Sequence, residues 1–240
     1  YTIMGVLLGA ALLAVCMNLI FGAWLRDGLY AHYALYVLCI AALSVNRQGF
    51  AAEWFLGDRP ERVAQTLLAV NCFFNMVGTA FMARIFQFRR HWPPAAHFFN
   101  AVVVYNFVAF VLALAGHHAA IAPWVSAGSA ASTLFGAVFV CYLLFVRRQF
   151  QYLLPASAFA TGTLLGLYGL LKLWLGDQMP GVRPDRMYWL GTMVHLILLN
   201  VAVADRTRRA ERDYRAERER VLAVRLEAVQ ALEDTVARGT

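Results

Sequence analysis

Carboxylates are missing from the middle of this chain. Between Glu61 and Asp177 there is no Asp or Glu, and the nearby acids Asp27, Glu53, Asp58 and Asp185 sit at the margins of apolar runs. Proton relays and cation sites use carboxylates at depth, so their absence argues against ion pumping. No repeated pair of broken helices supports a transporter either. Lysine is nearly absent: Lys172 is the single one, near the outer end of the sixth apolar run. That position excludes a retinal Schiff base, which would need a lysine in the last span. The four cysteines, Cys16, Cys39, Cys72 and Cys141, stand alone in apolar stretches without CxxC or Cys/His spacing. They read as small buried apolar side chains, not as disulfides or metal ligands. No catalytic residue, metal or cofactor is expected.

What the chain has in abundance is apolar surface, at 61% hydrophobic and 15% charged residues over 240 positions. Such a balance is too apolar for an ordinary soluble domain and marks an integral membrane protein in contact with lipid. The net charge of +7 fits inner loops and anionic lipid better than nucleic acid, because no basic cluster is interleaved with exposed aromatics. The apolar runs are about 2–25, 30–50, 62–88, 97–115, 121–146, 150–175 and 186–204, each near or above the ~20 residues that cross a bilayer. Long uninterrupted runs exclude the alternation of a membrane barrel and leave helices. The expected fold is an all-α integral membrane bundle of seven transmembrane helices over 1–204. The chain opens at Tyr1 already inside an apolar run, and it is expected to be part of a longer protein.

Orientation follows from the loops. Arg26, Arg84, Arg89, Arg90, Arg147, Arg148, Arg206, Arg208 and Arg209 fall on one side, and Arg47, Arg59, Arg62, Lys172, Arg183 and Arg186 on the other. The first set is the more basic and is assigned to the cytoplasm, with the N-terminus outside. Trp24, Trp54, Trp92, Trp124, Trp174 and Trp189 lie near span ends, where interfacial anchors belong.

The polar groups at depth are Asn18, Asn71, Asn75, Asn100, Asn106, His195 and Asn200. Neutral polar groups in lipid hydrogen-bond between helices for roughly 0.6–2 kcal/mol each, so helix-to-helix adhesion is their plain role. A sharper reading places Asn71 and Asn75, one turn apart on one face, with His195 around a ligand-binding polar cavity. "GVLLG" at Gly5 to Gly9 and "GTLLG" at Gly162 to Gly166 have the spacing for close packing within the bundle. His117 and His118 lie in an outer loop and are expected to face solvent, lacking a third ligand for metal.

From Thr192 through Arg238 there is neither Gly nor Pro, and the stretch after Asp205 is dominated by Arg, Glu, Ala, Leu and Val. The last span is therefore predicted to continue as one helix across 205–240, projecting about 50 Å at ~1.5 Å per residue. Tyr214, Val221, Ala228 and Thr235 recur every seven, as do Leu222, Val229 and Val236, with Leu226 and Leu232 between them. This is a heptad stripe of mixed register, as in a short parallel coiled coil, and it implies a homodimer. An amphipathic helix lying on lipid is disfavoured, because Glu211, Asp213, Glu217 and Glu219 interrupt the basic face.

With "YALYVLCIAALSVNRQGFAAEWFLGD" at Tyr33 to Asp58 as span two and its outer loop, and "RLEAVQALEDTVARGT" closing the chain, the whole layout resembles the bacterial seven-transmembrane receptors with diverse intracellular signalling modules. The resemblance implies a multi-pass protein of the bacterial inner membrane. It also implies a periplasmic sensor domain before Tyr1 and an output domain after Thr240, a histidine kinase or diguanylate cyclase. It transfers no ligand residues. The expected function is a receptor module that passes an external signal through the cytoplasmic helix. A small-molecule transporter or permease, and a plain structural anchor, are the rival readings.

Overall fold

The computed structural model describes residues 2–53, 57, 59–175 and 184–239, with side chains described outside 2–4, 165–167, 169–175, 184–189, 210, 213 and 228–239. Its elements are α1 (Thr2–Leu25), α2 (Gly28–Arg47), α3 (Pro60–Ile85), a short α4 (Phe88–His91), α5 (Pro93–Leu112), α6 (His118–Cys141), α7 (Leu153–Leu175) and α8 (Pro184–Gly239). The apolar elements are helical because a backbone without water must satisfy its own N–H and C=O groups. Local chemistry fixes several starts. Asp27 caps α2 by accepting from the Leu29 N–H at 2.9 Å. Pro60 and Pro93 open α3 and α5, where a missing N–H costs nothing.

α5 and α6 run on without a loop through a π turn, Ala113–His117, in which Gly116 adopts φ 93°. That single left-handed residue reverses the chain. Residues at similar distances on either side of it meet across the hairpin: Phe99 lies 5.8 Å from Phe135, ring to ring, and a Cβ on Gly128 would fall 2.7 Å from the Tyr105 ring. Four stretches are long and apolar enough to cross a membrane among the residues described: Gly5–Leu25, Gly28–Arg47, Pro60–Ile85 and Pro93–Val146. The last of these is the α5–α6 hairpin, and so holds two antiparallel helices.

One aromatic-rich core joins the bundle. Tyr33, Phe81, Phe86, Phe88, Phe99 and Phe139 are fully buried, and Leu196 and Leu199 of α8 belong to the same cluster. Phe88 packs edge-on to Phe139 at 4.3 Å and against Phe99 at 4.5 Å. Apolar side chains also cover the outside, including Leu13 and Ile20 of α1, Val104 and Phe107 of α5, Leu134 of α6 and Ile197 of α8. In water so wide an apolar exterior would aggregate; hydrocarbon is its matching solvent. Trp24 and Trp124 are exposed near helix ends, whereas Trp92 stacks on Phe135 and Phe139. Trp54, Trp174 and Trp189 lie outside the described side chains.

Two expectations are corrected. Cys39 and Cys72 are buried, but Cys16 and Cys141 are exposed on the bundle's exterior, where a thiol is apolar enough to face lipid. Gly5 and Gly9 have open space where a side chain would stand, so neither glycine serves close packing within the chain, although Leu7 between them is fully buried, while Gly162 lies against the His195 ring.

α8 runs for 56 residues without a break. Its first half lies in the bundle; from Glu211 to Glu227 every described side chain is exposed. The contacts of Thr207 with Tyr30, and of Arg209 with the Gln151 carbonyl, place the start of the extension at the arginine-rich end.

Candidate functional site

Three tyrosines at three-residue spacing on α2 reach α8. Tyr30, Tyr33 and Tyr36 are all buried, and a hydroxyl in an apolar core needs a partner. Tyr30 meets the Thr207 hydroxyl, which itself donates to the Val203 carbonyl at 2.8 Å, so Tyr30 is the donor between them. Tyr33 donates to the Leu196 carbonyl at 3.5 Å. Tyr36 meets His195 Nε2 at 2.9 Å.

The His195 ring is fixed from both sides. Its Nδ1 lies 2.6 Å from the Ala158 carbonyl of α7, which can only accept; in the neutral ring Nε2 then accepts from Tyr36. Tyr36 and Phe159 meet the imidazole edge to face, each at 5.8 Å. Tyr36 is in turn stacked on Phe74 at 5.5 Å and Phe81 at 5.3 Å. Gly78 makes room for it, since a Cβ there would stand 3.0 Å from the Tyr36 ring. One imidazole therefore links α2, α7 and α8.

Asn71 and Asn75 have other surroundings. Asn75 donates from Nδ2 to the Ser129 hydroxyl at 2.9 Å, tying α3 to α6. Asn71 lines a cleft of about 510 Å³ between α2, α3 and α6, together with Leu43, Arg47, Leu67, Leu68 and His118. Among the described residues no hydrogen bond joins either asparagine to His195. Asn18 and Asn106 bond carbonyls one turn back on their own helices, a local alternative that needs no second helix; Asn200 does the same and also hydrogen-bonds the Tyr33 side chain of α2. Asn100 is exposed.

A second polar group sits at the arginine-rich end. His91 Nε2 lies 2.9 Å from the Tyr152 hydroxyl, and Gln149 Nε2 donates toward His91 Nδ1 at 3.3 Å. Burial, then the charges of Arg90 and Arg147, hold the His91 pKa below its ordinary value. Nearby, Arg209 donates to the Gln151 carbonyl at 3.0 Å and pairs with Asp205. Arg84 Nη1 approaches His32 at 3.3 Å.

On the extension Tyr214, Val221, Leu222 and Leu226 are exposed in the single chain. The heptad positions Ala228, Val229, Leu232, Thr235 and Val236 lie outside the described side chains. No three His, Cys, Asp or Glu side chains gather as a metal site requires among the described residues.

The sequence profile of one family, 7TM diverse intracellular signalling, matches residues 1–206. The chain belongs to this family. No curated protein and no solved structure matches it. As a member of the 7TM diverse intracellular signalling family, the protein is a transmembrane module of the receptor and signalling type, and the matched region is not itself catalytic. The match reaches Arg206, within one residue of the Tyr30 contact at Thr207.

The site residues that the sequence did not reveal are the partners: Tyr30, Tyr33 and Tyr36, the Ala158 carbonyl and Ser129. A usable signal was present. "YAHYALY" at Tyr30 to Tyr36 puts three hydroxyls on adjoining positions of an apolar helix, and each must be satisfied somewhere.

Proposed function

We propose that the bundle is a receptor that senses a stimulus on its outer side and passes it through α8 to an output module further along the chain. The observation that carries this is the double life of α8. It is held in the core through His195, Leu196 and Thr207, and it runs unbroken to Gly239. A rigid helix transmits a shift or rotation that a flexible linker dissipates. In this reading seven helices cross the bacterial inner membrane, the N-terminus lies outside, and the arginine-rich end is cytoplasmic. Residues 205–240 then form the signalling linker, pairing with a second copy through Tyr214, Val221, Leu222 and Leu226 and the heptad positions beyond them. A histidine kinase or diguanylate cyclase is the output class the layout fits, with a periplasmic sensor domain preceding the spans. Transport is disfavoured by the absence of acids from Glu61 to Asp177.

Exchange of helices α1–α7 for unrelated membrane helices, with α8 and everything after it retained, tests the proposal. A receptor loses regulated output in that exchange. Regulation that survives it identifies the bundle as an anchor. Substrate uptake by the bundle alone identifies a permease.

A further inference from the structure

The cleft beside Asn71 has the build of a ligand site. Its volume, about 510 Å³, falls within the ~300–1,000 Å³ of pockets that hold small molecules. Leu43, Leu67 and Leu68 supply apolar wall, and Arg47, Asn71 and His118 supply the polar groups. No carboxylate is among the lining residues.

Two of those polar groups have hydrogen-bonding capacity the chain does not use. His118 Nδ1 is buried without a partner, which departs from the solvent-facing loop position expected of it. Asn71, half-buried, makes no side-chain hydrogen bond among the described residues, unlike Asn75 one turn further on. Arg47 is engaged within the chain and brings positive charge to the cleft. Buried polar atoms without partners are the exception in folded proteins and often mark where another molecule binds. Donors beside a cation favour an anionic head, because a charge-assisted hydrogen bond is stronger than a neutral one. Leucine walls favour a hydrocarbon tail.

We propose that this cleft binds an amphiphile with one anionic head and an apolar tail, the head on Arg47, Asn71 and His118 and the tail against Leu43, Leu67 and Leu68. The inference rests on the receptor reading for its consequence. Leu43 lies two turns from Tyr36 on the same face of α2, so an occupant bears on the helix that grips α8. The head chemistry is shared by a free carboxylic acid and an anionic membrane lipid.

The test is saturable binding of labelled decanoate to the full-length protein in zwitterionic nanodiscs, with decanol and acetate as competitors. Binding should saturate, weaken at least tenfold in Asn71→Leu and in Arg47→Gln, and stay unchanged in Asn100→Leu. Decanol lacks the charge and acetate lacks the tail, so neither should compete well. Unsaturable binding, equal binding in the cleft variants, or competition by decanol as strong as by decanoate would overturn the proposal.

Should a variant misfold, Leu67→Cys, at a cleft position that is only partly buried, in a background without the four native cysteines gives a second readout. Decanoate, and not decanol, should protect that thiol from a maleimide; no protection overturns the site. Repeating the titration with phosphatidylglycerol in the disc separates the sources. Competition identifies a membrane lipid as the occupant, no change identifies a free acid, and both support the site. Saturable cleft binding that leaves output unmoved upholds the site and counts against the receptor reading. Absent binding, with regulation lost on helix exchange, does the reverse.

Discussion

The Tyr36 hydroxyl donates to His195 Nε2 at 2.9 Å across 159 residues of chain, and the same imidazole holds the Ala158 carbonyl through Nδ1 at 2.6 Å. A single buried ring thus couples α2, α7 and α8. If this bond orders the bundle, a double-mutant cycle of Tyr36→Phe and His195→Leu should give a coupling energy of about 1 kcal/mol, the scale of hydrogen bonds between membrane helices. Reversible unfolding in mixed micelles measures it. Additive effects of the two changes would show the contact to be incidental.

Gly78 allows the Tyr36 ring to lie on α3. A Cβ there would stand 3.0 Å from the ring, while one at Gly9 would meet nothing within 4 Å. Gly78→Val should therefore destabilise the bundle by about 1–3 kcal/mol through overpacking, and Gly9→Ala should be neutral or mildly stabilising, as helix propensity dictates. Thermal unfolding of the two variants distinguishes them. Equal tolerance at both positions would contradict the ring placement.

The arginine-rich end makes a topological prediction. A reporter active only in the cytoplasm should work when fused after Arg90, Arg148 or Arg209, and one active only outside should work after His118 or Gly181. The opposite pattern reverses the direction of signalling.

His91 supplies a pH dependence. Burial with Arg90 and Arg147 lowers its pKa from the ordinary 6.5, so the unfolded chain takes up a proton more readily than the folded one. The stability this confers is complete above about pH 6.5 and is lost as pH falls through the lowered folded value. Between pH 7.5 and 5 the wild type should lose more thermal stability than His91→Asn. Parallel profiles would show that His91 carries no such linkage.

Much of the architecture was legible because lipid leaves few options. The expected run 62–88 corresponds to Pro60–Ile85, and 97–115 to Pro93–Leu112. The uninterrupted stretch after Thr192 is helical to Gly239. Less legible were the ends. Gln87 turns left-handed at φ 51° and starts the short α4, and nothing in the composition of RRHWPP announces it. His195 stood out as a polar group at depth, but its partners lie 159 and 37 residues away, a tertiary relationship that no local pattern encodes. For the same reason the contacts of Asn71 and Asn75, which share one face and run toward α6 and the cleft, could not be read from their spacing.

We propose that α8 carries the signal by its rotational position. The seam through Tyr214, Val221, Ala228 and Thr235 and the seam through Leu222, Val229 and Val236 are offset by one residue, about 100° around the helix. In a paired α8 a rotation would exchange one packing for the other, and a small gap between them would suit a coupling of about 1–3 kcal/mol. Output from the full-length protein, with and without stimulus, should be measured after two deletions. Removing a full heptad, Val221 to Glu227, should preserve regulated output, whereas removing Val221 to Val224 should rotate everything downstream and lock output on or off. Regulation unchanged by both deletions would contradict the account and reduce α8 to a tether.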